Sequence, residues 1–354
     1  MATASAAGPR VGVVGAGALG FHHARILRDL PGARFAGFYE ADPARRAAVA
    51  AELGVVAHEA LGALLDASDA VTVVVPTPAH FAVAREALRR GRHLLIEKPI
   101  TTTLAEADEL LDLAARAGVV VQTGHVERFN RAVRAALPHV DAPRFIESDR
   151  LAPFSLRGSD VAVVLDLMIH DIDLVRTLVG SAVSEVRATG VPVLTPTPDI
   201  ASARLAFASG AVANITSSRV SRERVRKVRI FQQSGYLSLD LGAGTGEYFR
   251  LRGDVDLAAL GRAAGRGGAP AGGPLDPAAF VERVPIDAPE GEPLRLEFDS
   301  FVAAVRGEQP VAVTGADGRE ALEVALRIVA EIERTMPALR GVPPAELAAA
   351  SATP

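Results

Sequence analysis

Asp166 and His170, four residues apart, interrupt the apolar run Val164-Leu165-Asp166-Leu167-Met168-Ile169-His170-Asp171-Ile172-Asp173-Leu174. On a helix, residues at i and i+4 share a face, so this spacing predicts a carboxylate beside an imidazole. Asp173 falls near the same face. Leu165, Ile169 and Ile172 form the adjoining apolar stripe, widened by Leu167 and Leu174 toward a mostly buried helix. An imidazole next to a carboxylate in apolar surroundings can act as a general base near neutral pH. The same residues would equally suit a core helix with a hydrogen-bonded histidine, and this stretch alone does not separate the two.

A second set of residues points to a nucleotide. Gly15-Ala16-Gly17-Ala18-Leu19-Gly20 follows the β-branched Val11-Gly12-Val13-Val14 and opens a helix expected over Phe21–Leu30. In such a G-x-G-x-x-G turn the first glycine permits the tight bend and the second lets a pyrophosphate approach the backbone. The third allows helix and strand to pack closely, and the helix N-terminus offers N–H groups to the phosphates. The strand Ala33–Tyr39 then delivers Glu40, where an acid would bond the adenosine ribose and disfavour a 2′-phosphate. Asp42 and Pro43 are explained locally, as N-cap and first residue of the next helix. Glu40 therefore favours NAD, with NADP the lesser expectation because Arg45 and Arg46 stand close enough to meet a 2′-phosphate.

Further along, the strand Ala70–Val75 stops at Pro76-Thr77-Pro78, with Thr77 placed to cap a helix and His80 in its first turn. Pro76, Thr77 and His80 are candidate cofactor contacts, although an exposed or capping role suits His80 equally. The strand His93–Ile96 delivers Glu97-Lys98-Pro99. A lysine at the carboxyl end of a parallel strand points into the crevice where ligands bind, unless it is a surface turn residue. Thr103-x-x-Glu106 reads as a capping box for a helix to Ala117, ended by Gly118 before the strand Val119–Gln122. Strand and helix alternate to about residue 125, which predicts a doubly wound parallel sheet.

Beyond the Asp166–His170 stretch the expected strands are Ala182–Gly190, Ala201–Phe207, Val212–Ser217, Val225–Gln232 and Tyr236–Asp240. Turns at Ser209-Gly210 and Ser234-Gly235 make antiparallel hairpins of them. Arg219, Arg222, Arg224, Arg226, Lys227 and Arg229 form a basic strand-like stretch that could meet a phosphate or a subunit interface, with a solvated strand face the default. Residues 253–277 are rich in Gly, Ala and Pro and read as a mobile insertion. Helices are expected over Phe298–Arg306 and Arg319–Thr335, before an Ala/Pro-rich tail expected to be disordered.

A chain of 354 residues is too long for one ordinary core. The net charge of −4 gives no basic footprint for nucleic acid. Without cysteine there is no disulfide, thiol nucleophile or thiolate metal site. No apolar run reaches membrane-span length, and the start of the chain lacks a basic leader region, so a cytoplasmic protein is expected. No metal site is evident, since the histidines are scattered and His22 and His23 face different ways on a helix.

Taken in order and spacing, Gly15-x-Gly17-x-x-Gly20, Glu97-Lys98-Pro99 and Asp166-x-x-x-His170 resemble the glucose–fructose oxidoreductase/inositol dehydrogenase/MocA-like family over nearly the whole chain. That resemblance implies an α/β Rossmann domain (residues 1–125) and an α+β domain with a large, mostly antiparallel sheet (126–336), followed by the tail 337–354. It implies Lys98, Asp166 and His170 as the catalytic group. It also implies a homo-oligomer, a dimer or tetramer joined through the open sheet face.

Gly124-His125-Val126-Glu127-Arg128-Phe129-Asn130 and Pro153-Phe154-Ser155-Leu156-Arg157, leading into the catalytic helix, are similar to a narrower group acting on the 3-hydroxyl of UDP-N-acetylglucosamine. That group feeds diamino-sugar lipid A synthesis. Many relatives have Gly two residues after the helix aspartate, where this chain has Met168, which makes analogy with inositol and glucose enzymes less secure. His125, Arg128, Asn130 and Arg157 are the candidate substrate residues. Because arginine suits bidentate phosphate contacts, Arg131 and Arg150 join Arg128 and Arg157 as candidates for a pyrophosphate.

The expected reaction is oxidation of a secondary alcohol on a sugar ring. His170 is the expected base, Asp166 orients it and Lys98 stabilises the developing alkoxide; a desolvated Lys98 is the alternative base. A free-sugar or inositol dehydrogenase and a non-catalytic dinucleotide sensor are the rival functions.

Overall fold

Short buried strands alternating with amphipathic helices build a parallel sheet in the first part of the chain. The computed structural model describes residues 8–155, 161–253 and 280–335. Its first six strands are β1 (Arg10–Val14), β2 (Arg34–Tyr39), β3 (Ala57–His58), β4 (Ala70–Val73), β5 (His93–Glu97) and β6 (Val121–Gly124). They lie parallel in the order β3-β2-β1-β4-β5-β6, so the direction of winding reverses between β1 and β4. Ligands of such sheets bind in the crevice at that reversal.

The connecting helices are α1 (Ala18–Arg28), α2 (Pro43–Leu53), α3 (Leu61–Ala67), α4 (Thr77–Arg89) and α5 (Leu104–Ala117). Local chemistry fixes their ends. The Asp42 carboxylate accepts from the Ala44 and Arg45 amides, at 2.8 and 3.3 Å. The Thr103–Glu106 box forms in both directions, and Gly118 closes α5 at φ 65°. Losing either polar cap should cost about 1 kcal/mol. Thr77 departs from expectation: α4 starts after Pro76 and has no side-chain cap. The Ala79 amide already bonds the Pro76 carbonyl, so Thr77 lies inside the first turn, and Pro78 removes a donor that would otherwise be orphaned.

The second part contains α6 (Arg131–Ala136), β7 (Phe145–Leu151), a π turn (Val164–Met168) running into α7 (Ile169–Val179), and seven more strands. These are β8 (Val183–Val191), β9 (Ile200–Phe207), β10 (Val212–Ser218), β11 (Val225–Gln232), β12 (Gly235–Asp240), β13 (Thr245–Leu251) and β14 (Val281–Ile286). The eight-stranded sheet runs β14-β13-β12-β11-β7-β10-β9-β8. Every pairing is antiparallel except β7 with β10. The expected hairpins join β9 to β10 and β11 to β12; β7, β13 and β14 fall where the sequence reading placed no strand.

One face of this sheet buries Ile146, Ile215, Val228 and Ile230 against Ile169, Ile172 and Val175 of α7. Each such side chain contributes about 1.5–3 kcal/mol on leaving water. The last two described helices, α8 (Pro293–Val305) and α9 (Gly315–Thr335), return toward the parallel sheet. Phe298, Phe301 and Val302 of α8 join Val11, Val13 and Leu27 in one core, and Leu322 of α9 joins Val71, Leu94 and Leu110 in another. Arg157, residues 254–277 of the expected insertion and the tail 337–354 lie outside the described residues. Among the described residues no helix is long and apolar enough to cross a membrane.

Candidate active site

The glycine turn closes at the carboxyl end of β1. Gly15 has φ +93°, and a Cβ there would stand 2.5 Å from the Val74 carbonyl oxygen. A Cβ on Gly20 would meet the Gly15 carbonyl oxygen at 2.0 Å, so both positions require glycine for the fold itself. Gly17 differs: a Cβ there would meet nothing within 4 Å, because its face opens to solvent at the start of α1. Ala16 is buried, Ala18 exposed and Leu19 half-buried. This is the cradle a pyrophosphate needs.

Glu40 reaches back into the turn, its carboxylate accepting from the Ala16 amide at 2.7 Å and the Asp42 amide at 3.1 Å. Arg45 and Arg46 donate to the carbonyl oxygens of Ala16 and Glu40, at 2.9 and 2.8 Å. Pro76 and Thr77 lie at the neighbouring β4–α4 turn. His80 is buried, neither exposed nor a cap, and both ring nitrogens lie against protein carbonyls: Pro99 at 2.8 Å and Val75 at 2.9 Å. With its polar atoms so engaged, it ties the β4 exit to the Lys98-Pro99 turn and leaves none for a cofactor.

Lys98 leaves β5 into the same crevice, and the Lys98–Pro99 peptide is cis. Its ammonium donates to the Asp166 carbonyl at 2.6 Å and lies 3.4 Å from Asp166 Oδ1. Here the expected pairing needs correction: the partner of Asp166 is Lys98, not His170. The cause is the π turn, in which the Ile169 amide bonds the Val164 carbonyl five residues back. One extra residue in the turn rotates Asp166 off the face that an unbroken α-helix would share with His170, and it displaces carbonyls from the regular ladder, where a side-chain donor can reach them.

His170 instead faces His125, whose ring lies edge-on with centroids 6.4 Å apart. His125 follows β6, is fully buried, and neither of its nitrogens has a partner among the described residues. His170 Nδ1 is likewise enclosed and unpartnered. Burial, followed by the charges of Lys98, Arg150, His125 and Arg226, holds the His170 imidazole well below the ordinary histidine range. It is therefore neutral and proton-accepting at pH 7.

A saturated ion network backs this pair. Arg150 of β7 donates to both oxygens of Asp171 at 2.6 and 3.2 Å and to Glu127 at 2.8 Å. Ser148 adds a bond to Asp171 at 2.9 Å. Arg128 clamps Asp173 with two bonds of 2.8 and 2.5 Å and also approaches Asp317. Asn130 caps α6 through the Ala132 amide and donates to Glu127 and to the Leu241 carbonyl. Arg131 bonds the Gly244 carbonyl. So Arg128, Arg131 and Arg150, candidates for a substrate anion, are bound to the protein's own acceptors. Glu127 and Asp171 were missed by the sequence reading; their signal was adjacency to His125 and His170.

At the carboxyl end of β5, next to Lys98, Glu97 is buried beside His23 (Oε1 to Nε2 3.3 Å). Burial raises its pKa, but the His23 contact and the charges of His23, Lys98 and His80 outweigh it, so Glu97 stays ionised. Nearby Glu297 of α8 is fully buried with both oxygens unpartnered among the described residues. Burial and the charges of Glu97 and Asp173 push its pKa well up, which keeps it protonated.

A Gly-rich strand–helix turn at a sheet's switch point, with an ammonium and a neutral imidazole above it, defines an oxidoreductase that uses a dinucleotide. The sequence model for the Gfo/Idh/MocA oxidoreductase family, NAD-binding Rossmann fold, matches residues 9–125, and that for the family's C-terminal domain matches residues 139–238. UDP-N-acetylglucosamine 3-dehydrogenase of Acidithiobacillus ferrooxidans is 38% identical over 326 residues, 92% of this chain and 97% of that one. A solved structure of that enzyme matches with a TM-score of 0.81 at 36% identity, covering 92% and 98% of the two chains. Scyllo-inositol 2-dehydrogenase (NAD(+)) of Bacillus subtilis is 29% identical over 60% of this chain and 68% of its own. This chain belongs to the Gfo/Idh/MocA family of oxidoreductases.

Proposed function

We propose that this protein oxidises the 3-hydroxyl of UDP-N-acetylglucosamine to the 3-keto sugar, with NAD as the hydride acceptor. The observation that carries the substrate is 38% identity along nearly the full length of both chains to an enzyme of that name, where myo-inositol dehydrogenases matched over a comparable length are 27% and 30% identical. The open face at Gly17 and the Glu40 carboxylate fit a dinucleotide with a free ribose 2′-hydroxyl. Glu40 would repel a 2′-phosphate, and Arg45 and Arg46 already donate to backbone carbonyls. When bound, the nicotinamide supplies the site that accepts the hydride.

The chain's own groups handle the proton. Neutral His170 takes it from the sugar hydroxyl. Lys98, oriented by Asp166, donates a hydrogen bond to the same oxygen and stabilises its developing charge. We assign residues 1–125 to the cofactor and 126–336 to the sugar and to self-association. On the same proposal the enzyme works in the cytoplasm, and its ketone product suits a following amino transfer, as on the diamino-sugar lipid A route.

The test is NADH absorbance with purified protein, NAD+ and a panel of UDP-N-acetylglucosamine, myo-inositol and glucose. Turnover of the UDP-sugar is expected. Lys98→Ala and His170→Ala should each lower kcat by about 10²–10⁴-fold while NAD+ still binds. A response to inositol and to no UDP-sugar would overturn the substrate, and near-normal turnover in both variants would overturn the site.

A further inference from the structure

Among the arginines close to the catalytic pair, Arg226 stands apart. It lies on β11 directly opposite Arg150 of β7 in the antiparallel register, on the face that buries Val228 and Ile230 and packs toward the catalytic helix. Like charges facing each other across two strands destabilise a sheet. Arg150 escapes this by spending its donors on Asp171 and Glu127. Arg226 does not: its guanidinium donates no hydrogen bond to any described residue. Its nearest acid is Glu127 Oε1 at 3.7 Å, an oxygen already taken by Arg150 at 2.8 Å. The side chain is 37% exposed, so its unspent donors are open to solvent. Arg150, directly across the strand pair from it, bonds Asp171, the residue that follows His170, and this ties Arg226 to the catalytic helix.

A half-desolvated guanidinium with free donors, pressed against a second arginine, is stabilised by an anion arriving from outside. We propose that Arg226 is the specificity-determining residue that binds the diphosphate of the nucleotide-sugar and so sets the distance from that anion to His170. This rests on the UDP-sugar reading above. The other arginines expected from sequence to fill this role and described here, Arg128, Arg131 and Arg150, have their donors occupied within the fold.

The experiment compares wild type, Arg226→Gln and Arg226→Lys in the presence of saturating NADH, titrating UDP and, separately, uridine by calorimetry. Loss of a charge-assisted contact should weaken UDP by about 10- to 100-fold in Arg226→Gln. Lysine should restore part of the affinity as a point charge, while uridine and NADH bind all three proteins alike. Because Arg226 makes no side-chain hydrogen bond to a described residue, holds only a 3.7 Å ion pair to a Glu127 oxygen that Arg150 already occupies, and faces a like charge, Arg226→Gln should melt no lower than wild type, which separates ligand binding from a structural role. With UDP-N-acetylglucosamine as substrate, KM should rise more than kcat falls. Equal UDP affinity in wild type and Arg226→Gln, or an equal loss of uridine binding, would overturn the assignment while wild-type turnover of the UDP-sugar left the function standing. If wild type turned over no UDP-sugar, the function would fall instead, and the diphosphate assignment with it.

Discussion

At the scale of single residues, the glycine turn separates two demands that one motif merges. Gly20 has no room for a methyl group, since its Cβ would sit 2.0 Å from the Gly15 carbonyl oxygen, whereas Gly17 faces open space. Gly20→Ala should therefore lower the melting temperature by several degrees along with cofactor affinity, as expected for a backbone clash of about 1–3 kcal/mol. Gly17→Ala should melt like wild type yet bind NADH at least tenfold more weakly, because its methyl intrudes only on the pyrophosphate. Thermal melts beside NADH fluorescence titrations decide this; equal melting losses in both variants would refute the distinction. The residues themselves were legible in sequence, but their partnerships were not. Asp166 and His170 have the spacing of a helical pair, and nothing in an apolar run discloses the single-residue offset of a π turn that hands Asp166 to Lys98.

Among the elements, α8 places a carboxyl where no charge can be solvated. Glu297 is held protonated in the fold, while in the unfolded chain it ionises above its ordinary value of about 4.5. Between that pH and its raised folded value, the folded state binds more protons, so stability falls as pH rises. Glu297→Gln removes this slope, at most about 1.4 kcal/mol per pH unit. Melting temperatures from pH 5 to 8 should show the variant gaining on wild type toward pH 8; parallel curves would mean that Glu297 is ionised in the fold.

The elements also show which sequence signals carry. The capping residues Asp42 and Thr103, the hairpin turns and the strand–helix alternation were readable because each is a local rule satisfied locally. Strand β7 was not, although its burial alternates, because its inward positions include Ser148 and Arg150, which serve the ion network where apolar residues would be expected. Strands β13 and β14 carry Gly246 and Pro285, residues that weaken a strand pattern.

For the whole molecule, the decisive fact is that the last two described helices belong to both halves. Helix α9 packs against β8 and α7 of the second part and against α5 and β6 of the first. Helix α8 supplies Phe298, Phe301 and Val302 to the core beneath β1. A chain ending at residue 292 should thus lose its cooperative thermal transition, and residues 1–125 alone should fail to give one, whereas the full chain should melt as a single unit in calorimetry. Two resolved transitions in the intact protein would contradict this.

Because the backbone crosses from one sheet to the other after β6 and returns before α8, the two halves are laced together instead of strung in series. Fusing a foreign sheet onto this cofactor module would need two splices, with the terminal helices matched to both partners. New substrate preferences are more readily reached by changing side chains of the proposed substrate site, such as Arg226, than by exchanging whole modules.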